Sequence, residues 1–173
     1  MARLFSVYHL TYTFICRTAN ACFKDAADLH ADLEEYVQAI ARYEQVAEYS
    51  LNSPLTKYSV KEYWLRAGLC ALALGVSIFT SRKYDFDKLT LFRRQDAVTA
   101  RRNSTKYSTQ DATFSSTREA KFVQALIDAV DAGDPEAYTG AVVEFDQVTK
   151  LDNWKTNILL KIKRSIQDEM SLT

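Results

Sequence analysis

The stretch YSVKEYWLRAGLCALALG, from Tyr58 to Gly75, decides the fold. Ser59 followed three residues later by Glu62 has the spacing of a capping box, and an apolar run follows at once. Coiled as a helix, the run turns Tyr63, Trp64, Ala67, Cys70, Ala71 and Leu74 one way and Leu65, Leu69 and Leu72 another. A helix without a polar face is buried on several sides, as it would be inside a stack of helical hairpins. The design repeats in STREAKFVQALIDAV, from Ser116 to Val130, where Ser116 and Glu119 form a second box. Each box encloses a cation, Lys61 in one and Arg118 in the other. A positive charge in the first turn opposes the helix dipole by roughly 0.3–1 kcal/mol. The two cations therefore read either as plain solvated charges or as a surface kept for a partner.

Outward from that core the pattern stays helical. ANACFKDAADLHADLEEY reads as one helix, with Phe23, Ala26, Ala27 and Leu33 on its apolar side. VQAIARYEQVAEYS follows, with Ala39, Ile40, Tyr43 and Val46 at helical spacing. Small and aromatic residues alternate there (Tyr36, Ala39, Tyr43, Val46) in the manner of a tetratricopeptide-like hairpin. Phe122, Val123, Leu126, Ile127 and Val130 form a core stripe, with Lys121, Gln124, Asp128 and Asp131 on the wet face. Asp134 with Pro135 opens the next helix, whose buried stripe is Tyr138, Val142, Phe145 and Val148. Asp152 opens the last, with Trp154, Ile158, Ile162 and Ile166 recurring every fourth residue. The expected fold is all-α: a tetratricopeptide-like helical-hairpin solenoid, truncated at its N-terminus, with a C-terminal helical bundle.

Composition narrows the function. Lys plus Arg and Asp plus Glu both number 22, so no global charge argues for nucleic acid or anionic lipid. Cys16, Cys22 and Cys70 are odd in number and lack metal-ligand spacing, which fits a reducing, cytoplasmic compartment. MARLFSVYHLTYTFIC has one early cation and an apolar middle like a signal peptide, but His9, Thr11 and Thr13 interrupt the run. It is too short and polar to span a membrane. The four glycines make no phosphate loop, and His9 and His30 stand apart, so neither a metal nor a cofactor is expected. Asp128, Asp131, Asp134 and Glu136 follow a helix face and its exit turn, the pattern of solvated surface. A binding protein is expected, not an enzyme.

Three segments carry a family resemblance: Asn52-Ser-Pro-Leu-x-Lys-Tyr-Ser-x-Lys-Glu-Tyr, the STREAK segment, and EFDQVTKLDNWKTNILLKIKRSIQ from Glu144 to Gln167. In these the chain resembles the alpha-SNAP family, the soluble NSF attachment proteins, in their fungal form and over roughly the C-terminal half. The resemblance implies an adaptor in vesicle-mediated transport, peripherally and indirectly associated with membranes. Such an adaptor binds a SNARE four-helix bundle and recruits and stimulates the hexameric ATPase NSF for SNARE disassembly. Carried over by position, Lys61 and Arg118 match basic SNARE contacts and Leu55 an apolar contact beside them. Asp96, Asp128 and Asp131 match acidic positions facing NSF, with Ala132 where the family has a third acid. Leu172 matches the penultimate leucine that stimulates the ATPase; Asp168 and Glu169 keep part of the tail's acidity, while Met170-Ser171 replaces further acids. Reversing Lys61 and Arg118 together is expected to weaken SNARE binding and leave the fold intact. The rival readings are a generic tetratricopeptide-like peptide-binding scaffold, an inactive truncated isoform, and an enzyme with a cryptic acidic site at Asp128 and Asp131.

Two segments depart from the family. Residues 1–18 are read as a non-family segment preceding a domain of residues 19–173. Val76–Gln95, VSIFTSRKYDFDKLTLFRRQ, lacks a sustained helical stripe and interrupts that domain where a short connection is expected. Excising it joins Gly75 to Asp96 in the family's register. Val76-Ser77 is encodable as GTAAGT, Leu89-Thr90 can contain CTAAC and Gln95 can be CAG, so the segment is read as a translated intron. Met1–Arg17 is read in the same way, as the tail of an earlier one. A splice isoform is the alternative.

Overall fold

The computed structural model describes the backbone of residues 18–81 and 86–171, and side chains of residues 18–74 and 98–167. Seven α-helices and two 3₁₀ turns make up the described residues: α1 (18–32), α2 (Tyr36–Leu51), α3 (Val60–Ser81), α4 (Phe86–Gln110), α5 (Arg118–Ala132), α6 (Pro135–Val148) and α7 (Asn153–Ser171). The 3₁₀ turns, Lys57–Ser59 and Phe114–Ser116, lead into α3 and α5. Each helix from α2 to α7 packs on the next, as in a solenoid, and α7 returns to pack on α3. α3 therefore touches α2, α4, α5 and α7, and every residue from Trp64 to Ala73 is buried. This is the environment that its all-round apolar sequence demands.

Aromatic contacts knit the layers. Trp64 of α3 stacks on Tyr107 of α4 at 5.4 Å and meets Phe114 edge-on at 4.8 Å. Phe122 of α5 stacks on Phe145 of α6 at 4.2 Å. The backbones of α3 and α5 approach closely at Gly68, where a Cβ would stand 3.1 Å from Val123 Cγ1. The core stripe predicted for α5 is buried throughout, as are Ile158, Ile162 and Ile166 of α7. Asp134 caps α6, accepting bonds from the Glu136 and Ala137 amides at 2.8 and 3.0 Å, with Pro135 in the first turn as expected. The exit from α5 is a Schellman turn: Gly133, at φ 69°, supplies the left-handed residue, and the Asp134 amide reaches back to the Ala129 carbonyl at 3.0 Å.

Several expectations need correction. The single helix read through ANACFKDAADLHADLEEY breaks at residues 33–35, where Glu34 takes φ 63° and the Glu35 amide bonds to the His30 carbonyl at 2.8 Å. The break lets Tyr36 turn back into the core, and it leaves Leu33 70% exposed instead of on an apolar side. Val148 is likewise 67% exposed, because α6 ends there and the chain leaves the core. The side chain that caps α5 is that of Thr117, not Ser116: its hydroxyl accepts from the Ala120 amide at 3.3 Å. Glu119 does not close the box, being engaged with α3. In the Val76–Gln95 stretch, residues up to Ser81 continue α3 and those from Phe86 begin α4, so most of it lengthens two helices instead of forming a loop. Met1–Arg17, with His9 and Cys16, lies outside the described residues.

Candidate partner-binding surface

The turn from α2 to α3 and the start of α5 make one rim. Leu55 and Tyr58 project from that turn with 78% and 85% of their surface exposed. Lys61 lies in the first turn of α3, half-exposed, with its Nζ 2.8 Å from Glu119 Oε1 on α5. Glu119 is buried, and its neighbour Arg118 is exposed with no ion pair among the described residues. Lys61 pairs with Glu119, the residue next to Arg118 in the chain, so the two sequence-predicted cations lie at the same edge. A carboxylate at position 61 would face the buried carboxylate of Glu119, so reversing Lys61 is expected to cost stability. Beside the rim, Lys57, Tyr58, Val60, Lys61, Trp64, Asp111, Thr113, Phe114 and Thr117 line a pocket of about 380 Å³.

Asp128 and Asp131 lie at the opposite end of α5, roughly 15–20 Å from Arg118 at 1.5 Å rise per residue. Arg101 of α4 bridges them, with its Nη2 3.0 Å from Asp128 Oδ1 and 3.6 Å from Asp131 Oδ2. All three side chains are well exposed, so the bridge is worth little and leaves both acids open to a competing cation. α5 carries Arg118 at its positive end and the acids at its negative end, and both placements oppose the helix dipole. The side chains of Asp96, Asp168 and Glu169, and all of Leu172, lie outside the described residues.

A third cluster escaped sequence reasoning. Arg66, only 5% exposed, reaches Asp28 of α1 at 2.9 Å, Glu62 at 3.2 Å and Asp152, which precedes α7, at 2.6 Å. Its guanidinium lies 4.5 Å from the centre of the Trp154 ring, a cation–π contact. Lys155, equally buried, pairs with Glu62 at 2.7 Å, Lys24 reaches Asp28 at 2.8 Å, and the Tyr43 hydroxyl donates to Asp28. Burial alone would lower the Arg66 pKa, but Asp28 and Asp152 outweigh it and the value rises. The cluster ties α1, α2 and α3 to the start of α7, where Asp152 also caps the helix through the Lys155 amide at 2.8 Å. A basic residue inside an apolar run was the available signal.

Among the described residues no group of His, Cys, Asp and Glu could hold a metal, and no helix is long and apolar enough to cross a membrane. Burial pushes the Cys70 thiol up, as expected of a thiol packed in an apolar core.

Fold and surface together define a helical-hairpin protein whose charged contacts stand at the ends of its helices. Models of known families extend this: one described as soluble NSF attachment protein, SNAP, matches residues 15–90 and 87–167. The chain belongs to that family. It is 60% identical over 156 residues to the vesicular-fusion protein SEC17 of Coprinopsis cinerea, an alignment covering 90% of this chain and 47% of that one. It is 39% identical over 150 residues to a probable vesicular-fusion protein sec17 homolog of Schizosaccharomyces pombe, covering 87% of this chain and 45% of the relative. With the alpha-soluble NSF attachment protein of Vitis vinifera it shares 39% identity over 149 residues, 86% of this chain and 45% of the relative. The chain spans about half the length of the curated relatives it matches.

Proposed function

We propose that this chain is a non-enzymatic adaptor in vesicle traffic, working in the cytoplasm and peripherally on membranes. Its basic rim grips an assembled SNARE bundle, and its acidic end recruits an NSF-type ATPase that takes the bundle apart. Leu55, Lys61 and Arg118 are the SNARE contacts. Asp96, Asp128 and Asp131 are the NSF contacts, and Asp168, Glu169 and Leu172 act with them from the tail. The observation that carries this reading is the separation of charge along α5, Arg118 at one end and Asp128 with Asp131 at the other, in a chain of the SNAP family. Opposite charges at opposite ends suit an adaptor between an acidic bundle and a basic ATPase domain, because complementary charge sets register and speeds encounter.

Val76–Gln95 is an insertion within that domain, and residues 1–18 lie outside it. The family match falls in two parts that overlap at residues 87–90, within Val76–Gln95, and its first part begins at residue 15. Reading the mature transcript across both junctions tests this; a message that retains the segments removes the intron origin.

The functional test uses the purified chain, an assembled SNARE bundle and NSF. Arg118→Glu is expected to weaken bundle capture. Asp128→Asn with Asp131→Asn is expected to leave capture unchanged and lower NSF recruitment. Capture unaffected by Arg118→Glu, or recruitment unaffected by loss of both acids, would remove the corresponding half of the reading.

A further inference from the structure

Asp128 and Asp131 stand one turn apart near the negative end of α5, and both are exposed. Each charge opposes the helix dipole and repels the other, so a cation set between them is favoured. The chain supplies that cation itself. Arg101 Nη2, on α4, lies 3.0 Å from Asp128 Oδ1 and 3.6 Å from Asp131 Oδ2, and among the described residues no other cation pairs with either acid. One guanidinium nitrogen within reach of both carboxylates shows that the gap between them accepts a single cationic group. Solvent reaches all three side chains and weakens the bridge, so a better-placed cation can displace the arginine. Asp128 keeps a second tie, since Gln124 Nε2 donates to its Oδ1 at 2.9 Å. Arg102, the next residue, is exposed and forms no ion pair among the described residues, so it adds charge to α4 without covering an acid.

We infer that Arg101 is an internal competitor for the acidic pair, holding the position that a cationic side chain of the ATPase takes on recruitment. The inference rests on the adaptor reading above, in which Asp128 and Asp131 face the ATPase, and adds the residue that limits access to them. Docking then exchanges one cation for another. Each contact formed with the acids displaces the contact they already have, so recruitment is weaker than two open carboxylates would give. The consequence has the opposite sign to the loss of an ordinary surface contact: removing Arg101 strengthens binding.

The test titrates NSF onto the chain captured by an assembled SNARE bundle. Four variants are compared with the parent: Arg101→Gln, Arg102→Gln, Asp128→Asn with Asp131→Asn, and Arg101→Gln added to that acid pair. Circular dichroism melts and bundle capture confirm that each variant is folded and loaded alike. Arg101→Gln is expected to tighten NSF binding about two- to fivefold, the scale of one exposed ion pair. Arg102→Gln makes the same change in net charge and should alter binding little. The gain should vanish once both acids are replaced, because the two effects act through one contact. Equal gains from the two arginine variants would reduce the effect to net charge and overturn the competitor. A gain that survives loss of the acids would overturn it too, as would unchanged or weaker binding by Arg101→Gln. In each of these cases a lower affinity of the acid variant leaves the adaptor reading standing. If loss of both acids changes nothing, the ATPase half of that reading falls and the competitor falls with it.

Discussion

Lys61 Nζ lies 2.8 Å from Glu119 Oε1, so the cation at the start of α3 is paired with the carboxylate at the start of α5. Glu119 is 6% exposed as a residue, and an unpaired carboxylate there would lack its water. Lys61→Glu should therefore lower unfolding free energy by about 1–3 kcal/mol, through a buried acid left unpaired beside a like charge. The exchange Lys61→Glu with Glu119→Lys should recover part of that loss. Urea unfolding of the three proteins checks it; a single reversal as stable as the parent would show that the pair is idle. Any binding defect of Lys61→Glu has to be compared with the exchange before it is credited to a partner.

Arg66 should be sensitive too. Replacing it with Met leaves the part-buried Asp28 and the half-exposed Asp152 without their shared cation, and also removes the contact with Trp154. Because the partner acids keep part of their solvent, the cost is expected at about 1–3 kcal/mol, below that of breaking a fully buried pair. The expected outcome is a fall in the urea midpoint, with the Trp154 emission changed in the native state.

Gly68 holds α3 and α5 close. Gly68→Val would drive methyl groups into Val123, already 3.1 Å from where a Cβ would stand, and overpacking of this kind costs about 1–3 kcal/mol. Adding Val123→Ala should return part of the loss, because the two sites share one volume. A double variant no more stable than Gly68→Val alone would place the strain elsewhere.

Glu34 adopts the left-handed conformation at the break between α1 and α2, and its carboxylate pairs with Lys161 at 3.0 Å across a half-exposed gap. The backbone cost of that conformation for a non-glycine residue is about 1–2 kcal/mol. An exposed ion pair returns about 0–1 kcal/mol. Glu34→Gly should accordingly raise the melting temperature by a few degrees, about what 0.5–1 kcal/mol produces in a domain of this size. A fall would show that the tie to α7 outweighs the strain.

What the sequence determined by itself was local and periodic. The apolar run of α3, the stripes of α5 and α7, and the Asp134-Pro135 and Asp152 starts were all legible, because helix periodicity and caps depend on residues a few positions apart. Asp128 and Asp131 were legible as a charged face for the same reason. Tertiary structure alone decided the remainder. Glu119 reads as a capping residue and instead crosses to Lys61; Arg66 sits in an apolar run and finds Asp28 and Asp152 far along the chain. Leu33 continues a helical stripe, yet the chain turns before it so that Tyr36 can enter the core. A charge or a break of this kind is settled by which helices come to lie side by side, and that depends on the packing of the whole stack around α3.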